Sequence, residues 1–320
     1  MSTQFMDVTN AAFHGFAPED DLRPRLESIT DDPHEVLSFA EQACVAEGSV
    51  ALLTLTEIRG GSYRQLGALM AVSDDGRYCG YLSGGCIEPA VALEAIKAIR
   101  TRRDRVLKLG QGGQFVDLVL PCDGGITVVV HIVRARDVLR MALKRLQQRH
   151  PVSIAYRRSA QALFLTDKYP TGWVDDDIFV NHVRPRIRLV LKGAGPELEA
   201  TAKVAISAGL EVVIVTDEML RTKEMVAIDE DTAVVLLLHE LERERLLLEM
   251  ALNSRPFFIG ALGSSRTHQK RLALLRNRGF TEEALKGVRG PVGLLPKARS
   301  ADILALSIVT EVVASRPDGT

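Results

Sequence analysis

The chain has 320 residues, more than one ordinary core accommodates and suited to two domains of roughly 150 residues each. Hydrophobic residues at 46% and charged residues at 25% are ordinary globular proportions and supply enough apolar surface for two cores. With 40 basic and 41 acidic side chains the net charge is −1, which removes the bulk electrostatic case for a nucleic acid or an anionic membrane surface.

No segment approaches the roughly 18 uninterrupted apolar residues of a membrane-spanning helix, and residues 1–21 lack a basic start followed by an apolar run. Glu19-Asp20-Asp21 points instead to a solvated, mobile tail, expected over 1–32. The four cysteines, Cys44, Cys79, Cys86 and Cys122, contain no CxxC pair, so neither a zinc ribbon nor a disulfide framework is indicated. A reducing, cytoplasmic compartment fits best.

Apolar Val36, Leu37, Phe39, Ala40 and Ala43 fall at helical spacing over 33–47, and Gly48 stops the run. Residues 49–58 read as a buried strand broken by Gly60-Gly61. A hairpin follows, 68–73 and 77–82 around Asp74-Asp75-Gly76. Ser83-Gly84-Gly85-Cys86 then opens a helix to about Arg100. Strands are expected at 105–109 and 126–133, and a helix at 137–148 closes a domain spanning 33–150. Residues 151–185 read as an ordered connector with a hairpin. From Ile187 strands and helices alternate: strands at 188–191, 211–215, 233–238 and 257–262, helices reaching 208, 252, 278 and 314. This rhythm specifies a parallel, doubly wound sheet, a Rossmann-like domain over 186–320. The fold class is therefore α/β, a mixed-sheet domain followed by a parallel-sheet domain.

Five loops carry candidate chemistry. LVLKGAGPELEA reads strand, glycine loop, helix, with Gly193 and Gly195 allowing close approach of a phosphate and Asp217 about 20 residues on, where a ribose-binding acid would stand. Glu197 and Glu199 in the first helical turn would repel a diphosphate, so NAD(P) is disfavoured. GALGSSRTHQKR repeats the design with Gly263, Ser264 and Arg266, beside the cations Lys270 and Arg271, and suits a phosphate better. His239 ends the strand before it, at the edge where open sheets place ligands. In the first domain, Ser83-Gly84-Gly85-Cys86-Ile87-Glu88 sets a thiol near a helix N-terminus, where the dipole favours thiolate. Cys122, beside Gly124 and Gly125, sets a second thiol at a diglycine turn, and Gly60-Gly61-Ser62-Tyr63-Arg64 adds a hydroxyl and a cation. Glycine loops and thiols together suit a soft metal, a persulfide or a sulfur-bearing cofactor, whereas Cys44 and Cys79 read as core residues.

At these residues the sequence resembles the XdhC/CoxI family of accessory proteins for molybdenum hydroxylases. The blocks are GGSYRQLGALMAV (60–72), GYLSGGCIEP (80–89), PCDGG (121–125), LKGAGPELEA (191–200), FFIGALGSSR (257–266), GPVGL (290–294) and RSADILALSIVTEVVA (299–314). The resemblance implies a non-catalytic chaperone that binds the molybdenum cofactor (molybdopterin), helps its terminal sulfuration and delivers it to an apo molybdenum hydroxylase such as xanthine dehydrogenase. It implies a homodimer, a cysteine desulfurase as a second partner, and Cys86 and Cys122 as the contacts to molybdenum or sulfur. Ser62, Arg64, Ser83, Gly84, Gly85, Glu88, Gly124 and Gly125 complete the expected site. A dinucleotide form of the cofactor would set its nucleotide end near Gly263 and Arg266. The alternative is an enzyme, either a nucleotide-dependent oxidoreductase or a sulfurtransferase using a Cys86 persulfide. Departures from the family pattern are Pro196 for the usual His after GAG, Leu238-His239-Glu240 for Thr-His-Asp, Tyr63 for Pro after Ser62, and Asp123 after Cys122.

Overall fold

The computed structural model describes residues 23–45, 48–110, 124–167, 170–222, 227–238, 240–296 and 298–317. The chain divides into two compact units, residues 1–139 with 156–163 and residues 140–155 with 164–320.

The first unit is built from β1 (Arg25–Ser28), α1 (Pro33–Val45), β2 (Val50–Arg59), β3 (Leu69–Ser73), β4 (Arg77–Gly80), α2 (Glu88–Thr101), β5 (Arg105–Gly110) and β6 (Gly125–Ile132). Its six strands lie in the order β1-β4-β3-β2-β6-β5. All neighbours are antiparallel except β1, which runs parallel to β4. Leu53, Leu55, Met70, Val128 and Val130 bury against Val91, Ala92, Ala95 and Ile96 of α2. The spacing i, i+1, i+4, i+5 puts those four on one helical stripe. The expected tail needs correction at its end: Arg25–Ser28 is an edge strand, and its exposed, charged RLES composition hides the pairing.

Next come α3 (Arg136–Gln147), β7 (Val152–Arg157), β8 (Ala162–Thr166), β9 (Gly172–Trp173) and β10 (Ile178–Val183). The strands of 152–183 form a four-stranded sheet of order β8-β7-β10-β9, two strands more than the sequence suggests.

The second unit continues with β11 (Arg188–Gly193), α4 (Pro196–Ser207), β12 (Glu211–Ile214), α5 (Asp217–Thr222), β13 (Thr232–Leu237), α6 (Leu241–Ser254), β14 (Phe258–Ala261), α7 (Ser265–Arg276), α8 (Glu282–Lys286), β15 (Val288–Arg289) and α9 (Ala301–Ser315). Its five strands are all parallel, in the order β12-β11-β13-β14-β15. Alternate strand residues face opposite sides. Leu189, Leu191, Val235 and Leu237 pack with Ala205 of α4 and Ile308, Val309 and Val312 of α9. Val190, Val234, Leu236 and Ile259 pack with Leu247, Leu248 and Ala251 of α6 and Leu275 of α7. Helices on both faces make the domain doubly wound, as the alternating pattern requires. The short elements α5, α8 and β15 escape the pattern because each spans at most six residues. Among the described residues no helix is long and apolar enough to cross a membrane.

Candidate functional site

Strand ends dictate where the loops of the first unit meet. Arg59 at the end of β2 pairs with Gly125 at the start of β6, and Gly110 at the end of β5 pairs with the same glycine. Because β3 is antiparallel to β2 and β4 to β3, the residues after β4 leave from this same end of the sheet. The loops at 60–68 and 81–87 and residue Gly124 therefore gather at one edge. The approach is close. A Cβ on Gly124 would lie 2.2 Å from the Gly61 carbonyl oxygen, and one on Gly84 would touch the Tyr63 ring at 3.7 Å. Cys122 lies outside the described residues, and Gly110 and Gly124, which flank its segment, stand at this edge.

The thiol loop is organised from within. Glu88, the first residue of α2, is 2% exposed. Its Oε1 accepts the backbone N–H of Leu82 at 3.0 Å and of Ser83 at 2.7 Å, and its Oε2 accepts that of Ile87 at 3.2 Å. Three donors converge on one carboxylate, and the chain between them must bulge outward. Gly84, Gly85 and Cys86 are exposed at that bulge, and their N–H groups have no acceptor among the described residues. Gly85 holds φ +98°, a left-handed value that a side chain would strain. Helix α2 begins after Ile87, so Cys86 precedes the N-cap instead of lying inside the first turn. Glu88, expected among the ligand contacts, is thus a buried acceptor for its own loop, and Ser83 is buried beside it.

The neighbouring loop is equally fixed. Ser62 Oγ donates to the Arg64 carbonyl at 2.8 Å and accepts the Arg64 N–H at 3.2 Å, an ordinary serine turn. The Arg64 guanidinium lies 4.6 Å over the Tyr81 ring and pairs with Asp31 at 3.3 Å. Both side chains are thus engaged by the protein itself. Burial pushes the thiol of the core residue Cys79 up to about 11, and partial burial also raises that of the half-buried Cys44. Among the described residues, no group of three or more His, Cys, Asp or Glu side chains could hold a metal.

In the second unit the strand order places the topological switch point between β11 and β13, whose ends pair as Gly193 with Leu237. A Cβ on Gly193 would meet Leu237 at 2.8 Å, so this glycine serves strand packing. Gly195 turns the chain at φ +79°, and Glu197 Oε2 stands 3.7 Å from where its Cβ would be. The helix start carries its own carboxylate where a diphosphate would approach. Asp217 is the first residue of α5, with Oδ1 2.5 Å from the buried Lys192 Nζ and Oδ2 3.3 Å from Arg243. The Lys192 hydrogen bond chiefly holds its carboxyl below the ordinary range. Sequence reasoning missed Lys192, although a single cation ending an apolar strand was a visible signal.

At the next loop Ser264 caps α7, accepting the Thr267 N–H at 3.2 Å, and Arg266 is exposed without an ion-pair partner among the described residues. Arg271 is a different matter from the expected ligand-facing or solvated cation. It is buried against Glu244 at 2.7 Å and also donates to the Leu262 carbonyl, locking α7 to α6. Gly263 holds φ +128° beside Thr267. His239 lies outside the described residues.

A mixed-sheet domain with a thiol at a glycine-loop edge, followed by a doubly wound parallel domain, defines a two-domain α/β protein of the Rossmann-containing kind. Residues 44–110 match the XdhC and CoxI family, and residues 189–312 match the XdhC Rossmann domain. The chain is 43% identical over 295 residues to the "Molybdenum cofactor insertion chaperone PaoD" of Escherichia coli (strain K12), covering 92% of each protein. It therefore belongs to the XdhC/CoxI family. A more distant relative is a probable xanthine dehydrogenase subunit of Bacillus subtilis (strain 168), 23% identical, with 83% of this chain and 92% of that protein aligned. A crystal structure of a Bacillus halodurans protein described as a xanthine dehydrogenase superposes with TM-score 0.70 at 22% identity, over 89% of this chain and 97% of that one, and speaks to the fold alone.

Proposed function

We propose that this chain is an accessory factor, not an enzyme, that carries the molybdenum cofactor as cargo to an apo molybdenum hydroxylase. The observation that carries the reading is the division of the 82–87 amides: three turned inward to Glu88, three turned outward beside an exposed thiol. Outward amides at a glycine edge suit an anionic group such as the pterin phosphate, and a thiol suits molybdenum or sulfur. The donor set therefore fits this cargo. Cys86 would contact the metal or its sulfur ligand, with Gly84, Gly85, Ser62, Arg64, Gly124 and Gly125 around it, and Cys122 as a second thiol. The named activity of the 43% identical relative supports the same reading.

Help with sulfuration rests on the same side chain. A Cys86 thiolate would attack the outer sulfur of a donor's persulfide, taking that sulfur and releasing the donor's thiolate. The donor would be a cysteine desulfurase, and the carrier would work as a homodimer. A dinucleotide form of the cargo would use Gly263, Ser264 and Arg266 for its nucleotide phosphate, not the loop at Gly193 and Gly195, where Glu197 opposes an anion.

The test is retention. Purified anaerobically and mixed with cofactor released from a molybdoenzyme, the parent chain should leave gel filtration with about one molybdenum and one pterin per chain, and Cys86→Ala should lose most of both. Equal retention by Cys86→Ala would overturn the thiol's role; no retention by the parent would overturn the carrier reading.

A further inference from the structure

Resting on that cargo reading, we propose that Tyr63 is the residue on which the pterin ring stacks. Its position follows from its neighbours. Ser62 closes the turn through two hydrogen bonds to Arg64, and Arg64 is held inward by Tyr81 and Asp31. Both flanking side chains face the protein, so the residue between them is thrown outward at a fixed apex. Tyr63 is 73% exposed, and among the described residues its hydroxyl has no hydrogen-bond partner. A large ring held out in water by an anchored turn has no packing explanation.

What it lies beside is specific. The ring edge, Cδ2 and Cε2, sits 3.7 Å from where Gly84 would carry a Cβ, two residues from Cys86. Gly85, the next residue, has nothing within 4 Å of its own Cβ position. An aromatic face, bare backbone and a thiol thus stand side by side with open space above the glycine. A cargo with a flat heteroaromatic ring, an anionic phosphate and a thiol-seeking metal matches all three. The backbone turn is already fixed before binding, so little backbone entropy is lost when the ring is covered.

The full chain is titrated anaerobically with cofactor released from a molybdoenzyme, and bound pterin is separated by gel filtration, oxidised and read by the fluorescence of the oxidised pterin. Tyr63→Phe and Tyr63→Trp should bind within about twofold of the parent, because both keep a flat ring. Tyr63→Ala and Tyr63→Leu should weaken binding by about tenfold or more, the scale of ring-on-aromatic stacking. In Tyr63→Trp, made in a Trp173→Phe background, the indole emission should fall as pterin binds. Cys86 alkylation at the parent rate in every variant shows that the loop is intact. Parent-like binding by Tyr63→Leu overturns the stacking role while leaving the cargo site standing. Weakened binding with an altered alkylation rate assigns Tyr63 to loop structure and overturns it too. A parent chain that binds no cofactor overturns both proposals.

Discussion

Replacing Glu88 with alanine removes the acceptor shared by the N–H groups of Leu82, Ser83 and Ile87. A buried donor left unpaired costs ~1–3 kcal/mol, so three would cost ~3–9 kcal/mol if none found a substitute. Gly84, Gly85 and Cys86 are exposed, however, and water can follow into the space the side chain leaves. The expected net loss is therefore ~2–4 kcal/mol of local stability. Glutamine keeps one acceptor oxygen but turns an NH2 group towards a donor, and should cost about half as much. Hydrogen exchange read by mass spectrometry over residues 80–90 measures this directly. The amides of 82, 83 and 87 should be protected in the parent and exchange about 30-fold faster or more in Glu88→Ala, since 1.4 kcal/mol is a factor of ten. Unchanged exchange at those three amides would show that the carboxylate does not hold the loop, and the outward turn of 84–86 would need another cause.

Arg271→Met should destabilise the second unit by ~3–5 kcal/mol in denaturant unfolding, because Glu244 is left as an unpaired buried charge; adding Glu244→Leu should recover most of the loss. Burial alone would raise the Asp104 carboxyl, but the hydrogen bond and charge of His131, the Ile132 N–H and Arg134 bring it net below the ordinary value. Its stabilising contribution is then present above the unfolded pKa near ~3.9 and is lost as pH falls through the lower folded value. Asp104→Asn should be less stable at neutral pH and show a flatter acid limb between about pH 2 and 5; parallel melting curves for parent and variant would contradict this. Iodoacetamide at pH 8, followed by peptide mass spectrometry, should label Cys86 well before Cys44 and Cys79, because burial raises both of the latter.

Much of the architecture is legible in the sequence because its driving pattern is local. The strand–glycine–helix rhythm after Ile187 is a run of apolar strands and breaker residues, and it yields the doubly wound sheet without knowledge of any contact. Elements held by pairing rather than by their own apolar pattern are illegible. β1 is an exposed RLES segment that becomes a strand only beside β4, and β10 is broken by Asn181 and His182. The candidate site divides the same way. Glycines and Cys86 announce themselves by type, whereas the inward role of Glu88 depends on where a helix starts. The burial of Arg271 depends on which helix faces it: its spacing from Arg266 and Lys270 suggests a shared cationic face, yet only Arg271 points at Glu244.

The edge at which the thiol loop stands belongs to no contiguous stretch of chain. Arg59 meets Gly125, its partner from far along the sequence, and β6 lies between β2 and β5. Such long-range pairing forms late, since the loop it closes must lose its freedom before the contacts repay it. A growing chain that has passed Cys86 but not β6 therefore has the cysteine without the edge that frames it. The outward loop at 84–86 gains the edge that frames it only when β6 has paired with β2 and completed the sheet.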